Sequence, residues 1–401
     1  MVRLGGQDQR QAGARAGSAR QHCLAGTGGC ARCVCTGTGT AELRAILMPS
    51  PNAINAHLRT GTTSSLPVIV ATDHRIASGA LGVQLHVRNK RLATLHKPHP
   101  DKVVVFVHGA TFPGSMAFDH PMFGGGSWLD YLALHGFDTY LFDVRGYGRS
   151  SRPAASTFPV PRNPPYARTP EAGDDLSAVV EFVRARTSGA RVNLIGWSWG
   201  TALGGGFTAA RNEAVRHLVL VAPLWIIRNS PGIALSRWMM SMLPPPLPNN
   251  ADFLGDFRAI SKKEARQRWV RGLDETTAEQ LIPQAEFDTW WQALFEIQGR
   301  TGDSAQTVQA PNGVMADLID HWATSRATYE PEHIRVPTQL LLGEWDIDTP
   351  AYMAQELFSR LKHAPYKRLE ILARGTHSMA LELNRFDLFD RCREFLETRF
   401  V

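Results

Sequence analysis

Gly196-Trp197-Ser198-Trp199-Gly200 is the segment of this sequence best suited to covalent chemistry. A serine hydroxyl is a weak nucleophile. It attacks a carbonyl only when a base takes its proton and an acid holds that base in place. The G-x-S-x-G spacing serves such a device when it links a strand to a helix: the sharp turn strains the serine backbone and exposes the hydroxyl. Glycines two residues to either side remove β-carbons that would strike the neighbouring strand and helix. The context fits, because the apolar run "RVNLIG" leads into the motif and the small-residue stretch "GTALGGGFTAARN" follows it.

In this strand-turn-helix arrangement the acid and then the histidine follow the serine in chain order. The segment "LLLGEWDIDTP" offers Asp346 and Asp348. Asp346, three residues past Gly343 at the end of a strand, is the expected acid. Asp348 is the runner-up and reads otherwise as a turn or helix-capping aspartate ahead of "TPAYMAQELFSRL". The loop after "HLVLVAP" holds no acid. The base is expected after the last strand, where "RLEILARGTHSMALE" carries His377. Of the 14 histidines, only His363 also follows the acid loop, and it precedes that last strand. Nδ1 of His377 should bond Asp346 and leave Nε2 to take the serine proton.

Two backbone N–H groups should receive the oxyanion: that of Trp199, the residue after the serine, and that of Ala110 in the His108-Gly109-Ala110-Thr111 loop after "VVVFV". His108 reads as a structural hydrogen-bonding residue. Thr111, Trp197, Tyr147 and Trp225 are candidates for a substrate pocket. The glycines of "MFGGGSW" are not followed by Lys-Ser/Thr, so Gly124 to Gly126 read as a loop ahead of a helix and not as a phosphate cradle. Gly204 to Gly206 should let the helix after Ser198 pack closely on the sheet.

These residues have to be held by a scaffold, and the chain supplies one. "PVIVAT" and "LGVQLHV" read as two strands with no helix between them, an antiparallel start. "VVVFVHG", "DTYLFD", "RVNLIG", "HLVLVAP", "TQLLLG" and "RLEILA" are short apolar runs without strict alternation, as expected of parallel strands buried on both faces. Helical patterns fill the intervals. In "PEAGDDLSAVVEFVRART" the residues Leu176, Val179, Val180 and Val183 share one face. The pattern predicts a doubly wound, mostly parallel, eight-stranded α/β sheet. Residues 67–223 and 336–401 form its core.

Residues 224–335 interrupt this rhythm with "SRWMMSML", "SKKEARQRWVRGL", "TAEQLIPQAEFDTWWQALFEI" and "NGVMADLIDHWATSR". They read as an inserted helical cap over the carboxyl edge of the sheet. Six of the ten tryptophans lie there, some expected in the cap's own core and some against an apolar substrate.

The blocks HGATFPGS, DVRGYGRSSRP, GWSWG, GEWDIDTP and GTHSMALE, spread over residues 67–401, resemble those of the α/β-hydrolase superfamily. The resemblance implies an eight-stranded sheet and the triad Ser198, Asp346 and His377. It also implies that DVRGYGRSSRP supports the floor of the site, with Asp143 and Arg145 structural. A serine in place of an aspartate sets the chain apart from dehalogenases and epoxide hydrolases. The expected reaction is hydrolysis of a carboxylic ester of a small, apolar molecule, the mark of a serine carboxylesterase. Lactone, thioester, amide or carbon–carbon cleavage, or acyl transfer to another alcohol, would use the same triad. A non-catalytic ligand-binding protein is the reading of a different class.

Composition narrows the rest. The net charge of +6 is concentrated in residues 1–50, where six arginines face only Asp8 and Glu42. No dense basic patch remains elsewhere, so no nucleic-acid partner is expected. Residues 1–50 hold few large apolar side chains and read as a disordered tail or a gene-model extension. Four of the five cysteines fall there, and the lone C-x-x-C of "CARCVC" is too little for a metal site. No metal or cofactor, no membrane span and a cytoplasmic setting are expected. Oligomeric state is left open.

Overall fold

The computed structural model describes residues 42–45 by their backbone, and residues 67–152, 163–228, 254–298 and 307–400 in full. Residues 1–41 and 46–50 of the expected tail, and the "SRWMMSML" segment with Trp238, lie outside the described residues.

Strands β1 (Glu42–Ala45), β2 (Val68–Ala77) and β3 (Gln84–Leu92) open the chain, followed by β4 (Val103–Val107). Helices α1 (Gly114–Phe118) and α2 (Trp128–Leu134) lead to β5 (Asp138–Asp143). Then come α3 (Thr169–Arg186), β6 (Val192–Trp197), α4 (Trp199–Ala210) and β7 (Val215–Val221). After an insertion the core resumes with β10 (Thr338–Gly343), α9 (Ala351–Arg360), β11 (Lys367–Leu372) and α10 (Arg385–Glu397). The insertion carries β8 (Phe257–Ser261), α5 (Lys262–Trp269), α6 (Glu275–Leu281), α7 (Gln284–Ile297), β9 (Thr307–Pro311) and α8 (Gly313–Asp320).

The main sheet runs β1-β2-β3-β5-β4-β6-β7-β10-β11. Pairing is antiparallel from β1 to β5 and parallel from β5 through β4, β6, β7 and β10 to β11. All eight expected strands are present. The ninth is Glu42–Ala45, a segment the sequence placed within the tail. Its backbone pairs with Val68–Ala71 and so takes up the open edge that a terminal strand presents.

Alternation along the buried strands feeds two cores. Val103, Val105, Val107, Leu194 and Leu218 face one side, where Leu176, Val179, Val180 and Val183 of α3 and Leu357 of α9 cover them. Val104, Phe106, Ile195, Val219 and Leu341 face the other, under Trp128 of α2 and Leu388, Phe389 and Phe395 of α10. Ser127 caps α2 by accepting from the Asp130 N–H, while the Asp130 carboxylate accepts from the Ser127 N–H. The "GGGS" loop therefore ends as a helix start.

The insertion is not purely helical. β8 and β9 form a separate antiparallel pair, Phe257 opposite Pro311 and Ser261 opposite Thr307. The expected long helix over 277–297 is divided at Pro283, which has no N–H to continue α6 and instead precedes α7. A third core joins the parts: Trp269, Phe287, Trp290, Trp291 and Leu294 of the cap pack against Met116, Met122 and Leu381 of the sheet domain.

Candidate active site

Ser198 sits at the turn from β6 into α4 with φ 57 and ψ −121. This left-handed, strained geometry is uncommon for any residue but glycine and persists only where its surroundings enforce it. Its N–H donates to the Val221 carbonyl at 2.9 Å. A β-carbon on Gly196 would lie 2.4 Å from the Gly200 oxygen, and one on Gly200 would lie 2.1 Å from the Val107 oxygen. The two motif glycines thus let β4, β6 and α4 meet behind the serine.

The structure brings the three separated residues together. Nε2 of His377 lies 3.0 Å from Oγ of Ser198. Its Nδ1 lies 2.9 Å from Oδ2 and 3.1 Å from Oδ1 of Asp346. A carboxylate there accepts a proton from Nδ1–H, so Nε2 is left as the acceptor facing the serine hydroxyl. Asp348 is elsewhere: its carboxylate pairs with Arg268 at 2.6 Å and with Arg271.

Several positioning residues have no motif of their own. Thr349 donates its N–H to Asp346 Oδ1 at 2.8 Å and its hydroxyl to Oδ2 at 2.8 Å. The Asp-x-x-Thr spacing was the available signal, since a carboxylate often accepts from a residue three positions on. Trp197 donates its indole N–H to the His377 carbonyl at 2.9 Å. Glu382 is buried beneath the histidine loop, where it accepts from the Thr376 N–H at 3.1 Å and from the Thr376 hydroxyl. It also accepts from the indole N–H of the cap residue Trp269 at 3.0 Å. Burial pushes its carboxyl up to about 7, against the pull of these donors. Its partners Thr376 and Trp269 lie in two separate stretches of sequence, so periodicity had no means to expose it.

The loop after β4 is equally constrained. The Val144 N–H donates to Nε2 of His108 at 3.0 Å, which makes Nδ1 the donor to the Gly109 carbonyl at 2.7 Å. The Ala110 carbonyl accepts from the Tyr147 hydroxyl at 2.7 Å and from Arg258 of the cap at 2.8 Å. The N–H of Trp199 is the first of α4, one of the helix-start donors that intrahelical bonding leaves available. Asp143 and Arg145 serve the scaffold. Asp143 accepts from the Ser115 and Arg149 N–H groups, and Arg145 pairs with buried Asp175 at 2.6 Å.

A cavity of about 360 Å³ opens onto Ser198 and His377, with Gly109, Ala110, Thr111 and Trp197 on its core side. Thr111 and Trp197, two of the pocket candidates, line this cavity. Tyr147 and Trp225 are not among its lining residues. Tyr147 is buried against the rings of His108 and Trp199, and Trp225 is buried against Tyr329. The glycines of α4 meet two different neighbours. Gly204 faces Leu218 of the sheet, but a β-carbon on Gly205 would meet the Tyr329 ring at 2.5 Å. The cavity's cap side carries Arg258, Glu264, Arg268 and Arg271 beside Ile260, Ala265 and Trp269, a more polar wall than an apolar pocket. Among the described residues no group of three His, Cys, Asp or Glu could hold a metal ion. No helix among them is long and apolar enough to cross a membrane.

A sheet of this order, with the strained serine at a strand-to-helix turn, defines an α/β-hydrolase fold, and the chain belongs to the alpha/beta hydrolase fold family, whose model matches residues 102–377. Two solved structures show the same fold at low identity. The thioesterase domain from the curacin biosynthetic pathway is 16% identical, with a TM-score of 0.51 over 82% of this chain and 99% of that one. The 2-hydroxy-6-oxo-6-phenylhexa-2,4-dienoate hydrolase from Rhodococcus sp. strain RHA1 is 15% identical, with a TM-score of 0.50 over 82% of this chain and all of that one. No curated protein matches the chain.

Proposed function

We propose that the protein is a serine hydrolase that cleaves a carboxylic ester through an acyl-enzyme. The observation that carries this reading is the continuous hydrogen-bonded relay, Ser198 Oγ to His377 Nε2 at 3.0 Å and His377 Nδ1 to Asp346 at 2.9 Å, opening on a cavity. Ser198 Oγ attacks the ester carbonyl while its proton passes to Nε2 of His377. Asp346 holds the imidazole orientation and stabilises the imidazolium that forms. The Ala110 and Trp199 N–H groups receive the oxyanion. Collapse of the tetrahedral intermediate expels the alcohol, which takes the proton from His377. Water then repeats the sequence, His377 removing its proton, and the acid leaves Ser198.

Replacing Ser198 with alanine is expected to abolish hydrolysis of short p-nitrophenyl esters, with the thermal transition kept within a few degrees. A fluorophosphonate probe should label the native protein and not Ser198→Ala. Undiminished turnover by the purified variant would exclude Ser198 as the nucleophile. A native protein that is neither labelled nor active would favour a ligand-binding role.

A further inference from the structure

The cap wall of the cavity holds more positive charge than its acids balance. Arg258 on β8 donates to the Ala110 carbonyl at 2.8 Å and to the Pro311 carbonyl, both neutral. No carboxylate lies within ion-pair distance of it among the described residues. Burial pulls Arg258 below the usual guanidinium range; Tyr147 opposes this, and the like charge of Arg268 adds to it. Arg268 on α5 and Arg271 just beyond it share one carboxylate, that of Asp348. The remaining acid, Glu264, is turned back to cap its own helix, accepting from the Ser261 N–H at 2.8 Å and the Ser261 hydroxyl at 2.7 Å.

Guanidinium groups withdrawn from water are normally matched by an anion, since an unpaired charge there is costly. Here the partly buried Arg258 has none, while Arg268 and Arg271, which reach solvent, share the single carboxylate of Asp348. All three line the same cavity as Ser198, and Arg268 also reaches Thr111 Oγ1 at 2.9 Å. Phe112, Ile260, Ala265 and Trp269 provide the apolar part of the lining. A hydrocarbon chain would fit that part, and a planar anion would complete the guanidinium side.

We propose that the site takes an ester whose carbon chain also bears a free carboxylate, received by Arg258 and Arg268 while Ser198 faces the ester carbonyl. This rests on the serine-hydrolase reading for the bond cleaved but not for the anion site, so the two are tested apart. The Ser198→Ala protein, which cannot turn the ester over, is titrated calorimetrically with monomethyl adipate and with dimethyl adipate. The free carboxylate should bind at least about tenfold more tightly than the capped one, and the preference should shrink with added salt. It should fall to about one when Arg268→Gln is added. Arg258→Gln should do the same; because that change also loosens Ala110, the half-exposed Arg268 carries the test if Arg258→Gln does not fold. Equal affinity for the two esters, or no measurable binding of the monoester, overturns the proposal. Fluorophosphonate labelling of native protein reports on the hydrolase reading alone. A labelled protein without the preference refutes the anion site, and an unlabelled one with it refutes the reaction.

Discussion

The sheet domain and the cap meet at one cavity but are built on different terms. In the sheet domain every residue of β4, β5, β6 and β10 is buried; Ser198 and Asp346 follow two of these strands, and His377 follows the edge strand β11. The described part of the cap packs its aromatic residues in a core shared with Met116, Met122 and Leu381 of the sheet domain and turns charged side chains toward the cavity. The contrast separates two tasks. A rigid, close-packed frame keeps the relay within hydrogen-bond distance, which is the precision that acyl transfer demands. The looser, charged surface facing it is free to choose what is brought there. Arg258 and Glu382 are among the side chains that join the two regions: Arg258 reaches from the cap to the Ala110 carbonyl, and Glu382 binds the histidine loop and Trp269 at once.

The largest effect should come from breaking the frame and not the cap. Asp346→Asn would leave a carboxamide beside Nδ1 of His377, which favours the wrong tautomer, and kcat should fall by about 10⁴. Asp348→Asn touches only the cap arginines and should lower kcat by less than about tenfold. Steady-state kinetics on one p-nitrophenyl ester compares the two. Comparable losses from both would undo the assignment of the acid.

How much of this could be read beforehand follows the same division. The strands were visible because burial on both faces leaves unbroken apolar runs, and the relay because G-x-S-x-G, strand-end Asp346 and strand-end His377 are local marks in a fixed order. Glu42–Ala45 escaped notice because a four-residue edge strand has too little pattern to stand out from its surroundings. The β8–β9 pair was missed because Phe257–Ser261 and Thr307–Pro311 are joined only in space. Aromatic count alone could not divide the cap tryptophans: Trp290 and Trp291 pack in the cap core and Trp322 in the sheet core, while Trp269 lines the cavity beside arginines. Periodicity reports which face of an element is buried, not which cavity it borders.

Glu382 offers a smaller effect at the seam. Its carboxyl, ordinarily near 4.5, stands at about 7 in the fold, so the folded chain keeps a proton that the unfolded chain releases. The stability it contributes is whole below pH 4.5 and is lost as the pH rises through 7. The full loss is at most about 3 kcal/mol for a shift of this size. Urea midpoints of the native protein should therefore decline between pH 4.5 and 7 more steeply than those of Glu382→Gln, which does not titrate. Parallel curves for the two proteins would show that Glu382 keeps its ordinary proton affinity, and that cap and histidine loop are not joined through it in this way.

The smallest expected change tests whether a side chain outside the cavity can act on catalysis through the backbone. Tyr147→Phe removes one donor from the Ala110 carbonyl and leaves the Arg258 bond to the same oxygen. A hydrogen bond of that kind contributes about 1 kcal/mol. Because Ala110 would present its own N–H to the oxyanion, the loss should appear as a drop in kcat of about fivefold or less. KM should stay unchanged, since Tyr147 does not border the cavity. A raised KM with kcat intact would return Tyr147 to the pocket, where its place in "DVRGYGRSSRP" first suggested it. A fall in kcat alone would instead mean that the sheet domain holds the oxyanion loop from beneath, while the cap, through Arg258, holds the same carbonyl from above.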